Sequence, residues 1–134
     1  MKSALQILIG AAACAVFILL ARRLAPRREL RLYAVGLISA ALIYVGFVAR
    51  DVSLSWLTIE LAGLLVFTLV ALAGLKISPL ILAAGWAAHV AWDVLLHGLF
   101  ETTFVPRWYP PVCVGFDLLL AGYIAVRFSK KVPQ

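Results

Sequence analysis

Five stretches of the chain hold almost nothing but apolar residues: Ala4 to Ala21, Leu32 to Ala49, Trp56 to Leu75, Leu80 to Phe100 and Val112 to Phe128. At 1.5 Å per residue each is long enough to cross a hydrocarbon core about 30 Å thick. None shows the strict alternation of a membrane barrel strand, and in lipid only helices or closed barrels pair every backbone group. The pattern predicts an all-α protein, a five-helix transmembrane bundle that forms one membrane domain over residues 1–134. The connections are short. "ARRLAPRRELR" carries Pro26 as a breaker, "RDVSLS" is a polar turn, "KISP" stops at Pro79, "ETTFVPRWYPP" is the longest link, and "RFSKKVPQ" reads as a frayed basic tail.

Composition agrees: 65% of residues are hydrophobic and 13% charged, where a soluble domain has about 25% charged residues. The net charge of +6 does not point to nucleic acid. The basic residues cluster between apolar runs, where they set orientation and meet anionic lipid. With the N-terminus outside, the inner segments hold Arg22, Arg23, Arg27, Arg28, Arg31, Lys76, Arg127, Lys130 and Lys131, against Lys2, Arg50 and Arg107 outside. The expected topology is therefore N-out and C-in. The first run, with "AAAC" at 11 to 14, reads as a retained anchor rather than a cleaved leader, because it stays apolar through Leu20 and strong positive charge follows it. Ala83, Ala87 and Ala91 form a small-residue stripe suited to close helix packing. Trp56, Trp108 and Tyr109 fall at outer ends, where aromatic rings anchor at the interface. Cys14 and Cys113 form no CxxC pair, so no zinc knuckle or redox motif is offered.

The candidate chemistry comes from polar residues inside the spans. Glu60, Asp93 and Asp117, three of the six acidic residues, share them with both histidines, His89 and His97. A charge at the bilayer centre costs several kcal/mol, so such groups face the protein interior and find partners. The derived topology places Glu60 roughly 6 Å and Asp117 roughly 7 Å below the outer surface, with His97, Asp93 and His89 about one, two and three turns in. All five share the outer half, and the inner half of every helix is expected to lack ionisable groups. A spacing of four keeps His89, Asp93 and His97 near one helix face, with Gly85 further along it. Cys113 lies one turn from Asp117 on a similar face. Histidine and carboxylate suit zinc, iron or manganese, and acid–base or proton-relay chemistry is equally open to them. Taken singly, each group is as readily a hydrogen-bonded link between helices, and Glu60 is also within reach of a pairing with Arg50.

Other chemistries drop out on residue counts. Two histidines are too few for a membrane di-iron oxygenase, and both on one helix cannot clasp a haem from opposite sides. No lysine lies deep in a helix for a retinal Schiff base, and Ser39 has no acidic or histidine neighbour on its helix for a serine protease.

"GWAAHVAWDVLLHG" through "FVPRWYPPVCVGFD" resembles the corresponding segment of a family of small bacterial integral membrane proteins of unknown function. The resemblance covers about the last half of the chain. It singles out Trp86, His89, Trp92, Asp93, His97, Pro106, Cys113 and Asp117, with Glu60 in register upstream, as one site in a multi-pass protein of the bacterial inner membrane. It implies no activity.

Three functions compete. In the first, Trp86 and Trp92 line a pocket for a lipid-like molecule. Asp93, His97 and His89 act as acid or base, or join Asp117 and Glu60 in holding a divalent metal ion. In the second, the protein is a proton, ion or metal transporter, assembled as a homo-oligomer because five short helices enclose little volume. In the third it is a structural or accessory subunit whose polar groups only join helices.

Overall fold

The computed structural model describes residues 2–51, 53–100 and 102–129, and 86% of them are helical. The helices are α1 (Lys2–Ala21), α2 (Pro26–Asp51), α3 (Leu54–Lys76), α4 (Pro79–Ala91), which runs on into a π-helical segment (Trp92–Gly98), and α5 (Tyr109–Arg127). Counting α4 with the π segment as one span, five are long and apolar enough to cross a membrane, and no strand occurs among the described residues. Large apolar side chains such as Leu8, Leu65 and Val126 face outward, at 60–81% exposure. In water such a surface would be untenable; in a bilayer it is the lipid-facing wall. The tail beyond Ser129, with Lys130 and Lys131, lies outside the described residues, as do Val52 and Glu101 of two connections.

The helix ends show where local chemistry overrides the apolar pattern. Pro26 opens α2 instead of breaking the chain, because a proline in the first turn lacks only an N–H that no helical carbonyl needs. The stretch from Arg27 to Arg31 is thereby helical, with its arginines exposed and Glu29 and Leu30 buried. Pro110 and Pro111 occupy the first turn of α5 in the same way. Ser78 starts α4, its Oγ accepting from the Leu80 N–H at 3.3 Å ahead of Pro79.

α1 packs along α5, and α4 sits centrally against α5, α3 and α2. Where α1 crosses α5, a Cβ on Gly10 would collide with the Val112 carbonyl oxygen, and one on Gly115 with that of Ile7. Two backbones touch here, and only glycine permits it. The Ala83–Ala87–Ala91 stripe does not serve this purpose: Ala83 is buried, but Ala87 and Ala91 are exposed. Close approach is carried by glycines on two other helices, a pairing that the pattern of one helix cannot reveal. The apolar core comprises Leu37, Ala41, Phe67, Leu82, Trp86 and Leu120, each at most 4% exposed.

Polar side chains are buried at both ends of this core. At one end the start of α3, the end of α4, the π segment and α5 bring together the groups singled out above, against the C-terminal part of α2. At the other, Glu29 is fully buried, accepting at Oε1 from the hydroxyls of Tyr33 and Tyr123, each at 2.9 Å. The Arg127 guanidinium lies 3.6 Å from its Oε2. The expectation that one half of every helix lacks ionisable groups is corrected here. Glu29 sits among arginines in the sequence, and only the longer α2 and the distant α5 make it an interior residue.

Candidate functional site

All five ionisable groups are buried: Glu60, His89, Asp93, His97 and Asp117 are each at most 6% exposed. They do not form one undivided cluster. His89 Nδ1 lies 2.8 Å from Asp117 Oδ2 and 3.6 Å from Asp93 Oδ2. His97 Nε2 lies 2.8 Å from Glu60 Oε1, close but out of line for a hydrogen bond. Glu60 Oε2 accepts from Trp92 Nε1 at 3.2 Å, so Glu60 turns inward and is neither paired with Arg50 nor reaching for the surface.

The division follows from position along the helix, since eight residues separate the two histidines. Four-residue steps on a regular α-helix drift by about 40° each and would carry His97 about 80° round from His89. From Trp92 to Gly98, however, the chain closes i→i+5 bonds, which put more residues in each turn. The wider turn cancels most of that drift and keeps His97 on the His89–Asp93 face, and its place two turns further along the helix sets it beside Glu60 of α3. Its other ring nitrogen, Nδ1, shares a 3.1 Å hydrogen bond with Thr102 Oγ1. One histidine thus belongs to an α4–α5 centre and the other to an α3–loop centre.

Tyr44 links the two. Its hydroxyl donates to Asp93 Oδ1, while its ring stacks on His97, with centroids 4.3 Å apart and planes at 4°. The hydroxyl fixes the Asp93 carboxylate and leaves Oδ2 free on the side of His89. Asp93 Oδ2 and His89 Nε2 are buried without a hydrogen-bond partner, which costs free energy unless something else supplies one.

His89, Asp93 and Asp117 each offer one ligand atom, all within 4.8 Å of one another. One nitrogen and two carboxylate oxygens suit zinc, manganese or ferrous iron. At ligand distances of about 2.0–2.2 Å the three atoms need to draw in slightly, by side-chain rotation. The orphaned Asp93 Oδ2 fits such an ion, since a cation satisfies a buried oxygen that no donor reaches. Glu60 and His97 fall outside this trio and suit acid–base work beside it.

A cavity of about 750 Å³ opens beside this end of the bundle, bounded by the start of α1, the π segment, the following loop and the first turns of α5. Asp93 and His97 both line it, so each centre presents one residue to the same space.

A model of the family of unknown function DUF6010 matches residues 5–130. The chain belongs to DUF6010. No curated protein and no solved structure matches it. The DUF6010 match runs from α1 through α5, and so contains both centres and every residue that lines the cavity except Ser3.

The remaining residues of interest in this DUF6010 protein lie as follows. Trp86 is buried in the core, over Gly36, and donates from Nε1 to the Tyr33 carbonyl at 3.2 Å. Trp92 packs on Gly63 and Phe67 while it holds Glu60. Neither tryptophan lines the cavity. Gly85 meets Val70 and Leu37, Cys113 is buried, and Trp56 packs near His97 and Phe104 rather than standing apart at the surface. Sequence reasoning missed Tyr44, Thr102 and Arg107. Tyr44 had left a signal: a phenol in the interior of an apolar run needs a partner for its hydroxyl. Thr102 and Arg107 sit in a loop, with nothing to mark them.

Proposed function

We propose that this membrane protein binds a divalent metal ion through His89, Asp93 and Asp117 and acts on a lipid-like molecule held in the adjoining cavity. The observation that carries the reading is the convergence of three buried ligand atoms from two helices, with Asp93 shared between them and the cavity wall. A metal in such a setting polarises an oxygen of the bound molecule or lowers the pKa of a coordinated water. Tyr44 orients Asp93 through its hydroxyl, and Asp117 faces His89 from α5. His97, held between Glu60 and Thr102, is the acid or base that meets the substrate. The basic segments favour an N-out, C-in topology, which puts the site beneath the outer face of a bacterial plasma membrane.

Metal analysis of protein purified in neutral detergent tests this reading. The expected content is about one ion per chain, lost in His89→Ala and Asp117→Asn and retained in His97→Ala. Protein that takes up no stoichiometric zinc, manganese or iron refutes it. Transport is the weaker reading. Polar groups at both ends would serve a path, but about 22 Å of helix separates Glu29 from Tyr44, and buried Leu37, Ala41, Trp86 and Leu120 fill the interval.

A further inference from the structure

The cavity has the size of pockets that take a whole small ligand, which run to about 300–1,000 Å³, and its lining is divided by chemistry. Ile7, Val94 and Val114 give apolar walls from three different helical segments, Asp93 and His97 lie at its buried end, and Arg107 stands on the loop side. Asp93 is fully buried, with Oδ2 unpartnered. Arg107 has no ion-pair partner among the described residues. The charges decide which head group fits. A divalent ion at His89, Asp93 and Asp117 is neutralised by the two carboxylates, which leaves the Arg107 guanidinium as the uncompensated charge in the cavity. With the metal site empty, the carboxylates would instead favour a cation.

We propose that the ligand is a single-chain or slender amphiphile with an anionic, oxygen-rich head such as a phosphate or carboxylate. The head is paired with Arg107 and directed at the metal side of Asp93; the tail lies against Ile7, Val94 and Val114. The proposal rests on the metal reading above, which supplies the charge balance. Guanidinium is suited to the anion role because its planar fork matches two oxygens of a phosphate or carboxylate at once.

The test uses zinc-loaded full-length protein in neutral detergent, with binding read by native mass spectrometry. The probes are lysophosphatidic acid, lysophosphatidylcholine, a single-chain alkylamine and inorganic phosphate. Lysophosphatidic acid should bind most tightly, and Arg107→Gln should weaken it by about tenfold or more, the worth of a charge-assisted hydrogen bond, while lysophosphatidylcholine changes little. Val114→Phe, which narrows the cavity without touching Arg107, should weaken both lysolipids. Equal binding of lysophosphatidic acid by wild type and Arg107→Gln overturns the proposal, as does preference for the alkylamine. Inorganic phosphate binding as tightly as lysophosphatidic acid refutes the amphiphile half, because the apolar walls then contribute nothing. Zinc content measured on the same samples separates the two claims: bound zinc without Arg107-dependent binding refutes this proposal alone, and Arg107-dependent binding without zinc refutes the metal reading together with the charge balance derived from it.

Discussion

Replacing Tyr44 by Phe removes one oxygen from the interior and should leave the ring where it is, stacked on His97 and packed edge-on to Phe47 and Tyr109. The loss falls on Asp93. Its carboxylate is fully buried, Oδ2 is already without a partner, and the Tyr44 hydroxyl is its side-chain hydrogen-bond donor among the described residues. A hydrogen bond to a charged group is worth about 1.5–3 kcal/mol in soluble proteins. Polar contacts between membrane helices average about 0.6 and reach about 1.7. Among the described residues no second side-chain donor lies within hydrogen-bond distance of Asp93, so the upper part of the membrane range applies. The expected cost is about 1.5 kcal/mol, roughly tenfold in the folding equilibrium. Equilibrium unfolding in mixed micelles, followed by far-ultraviolet circular dichroism in chelator and again with zinc, measures it. The cost should shrink with zinc, because a bound cation takes over the stabilisation of the carboxylate. A double-mutant cycle with Asp93→Asn isolates the pair from any repacking. A Tyr44→Phe cost below about 0.3 kcal/mol in chelator, or a coupling near zero, would refute the assignment of Tyr44 as the residue that holds Asp93.

Other consequences are open to similar measurement. Gly115→Val should destabilise the fold by about 3 kcal/mol or more through the α1–α5 backbone contact, whereas Gly122→Ala, which meets nothing within 4 Å, should melt within a degree or two of wild type. Arg127→Ala should cost less than about 1 kcal/mol, since that side chain is 41% exposed and 3.6 Å from Glu29; Glu29→Leu should cost more, because it leaves two tyrosine hydroxyls without their acceptor. Glu60→Gln should keep the metal and the Trp92 contact yet lower whatever turnover is found, by removing the charge beside His97. A reporter fused after Gln134 should face the cytoplasm, and one exposed outside would reverse the topology.

The five spans were legible because apolar run length is dictated by bilayer thickness and owes little to tertiary context. Glu60, His89, Asp93, His97 and Asp117 stood out for a related reason, since each is costly in lipid and has to be accounted for. What the chain concealed depended on partners remote in sequence. Glu29 reads as part of a solvated basic loop until Tyr123 and Arg127 of α5 are set beside it. The glycine contact requires Gly10 and Gly115 to be seen together. The assignment of His89 and His97 to different centres depends on Asp117 on one side and Glu60 and Thr102 on the other, which four-residue spacing on one helix does not reveal.

The π-helical turn from Trp92 to Gly98 lets the segment carry one more residue than a regular helix would without turning His97 away from the interior. Deleting Leu95 would allow the segment to close as an ordinary α-helix, with the second histidine three residues beyond Asp93 and seven beyond His89, positions that share a helix face. The shortened protein should then keep its second imidazole facing the interior and its zinc bound, and loss of zinc from it would count against this account of the segment. One residue can thus be lost from this stretch with the site's orientation kept, whereas a deletion within the regular part of α4 would turn every later side chain by about 100°.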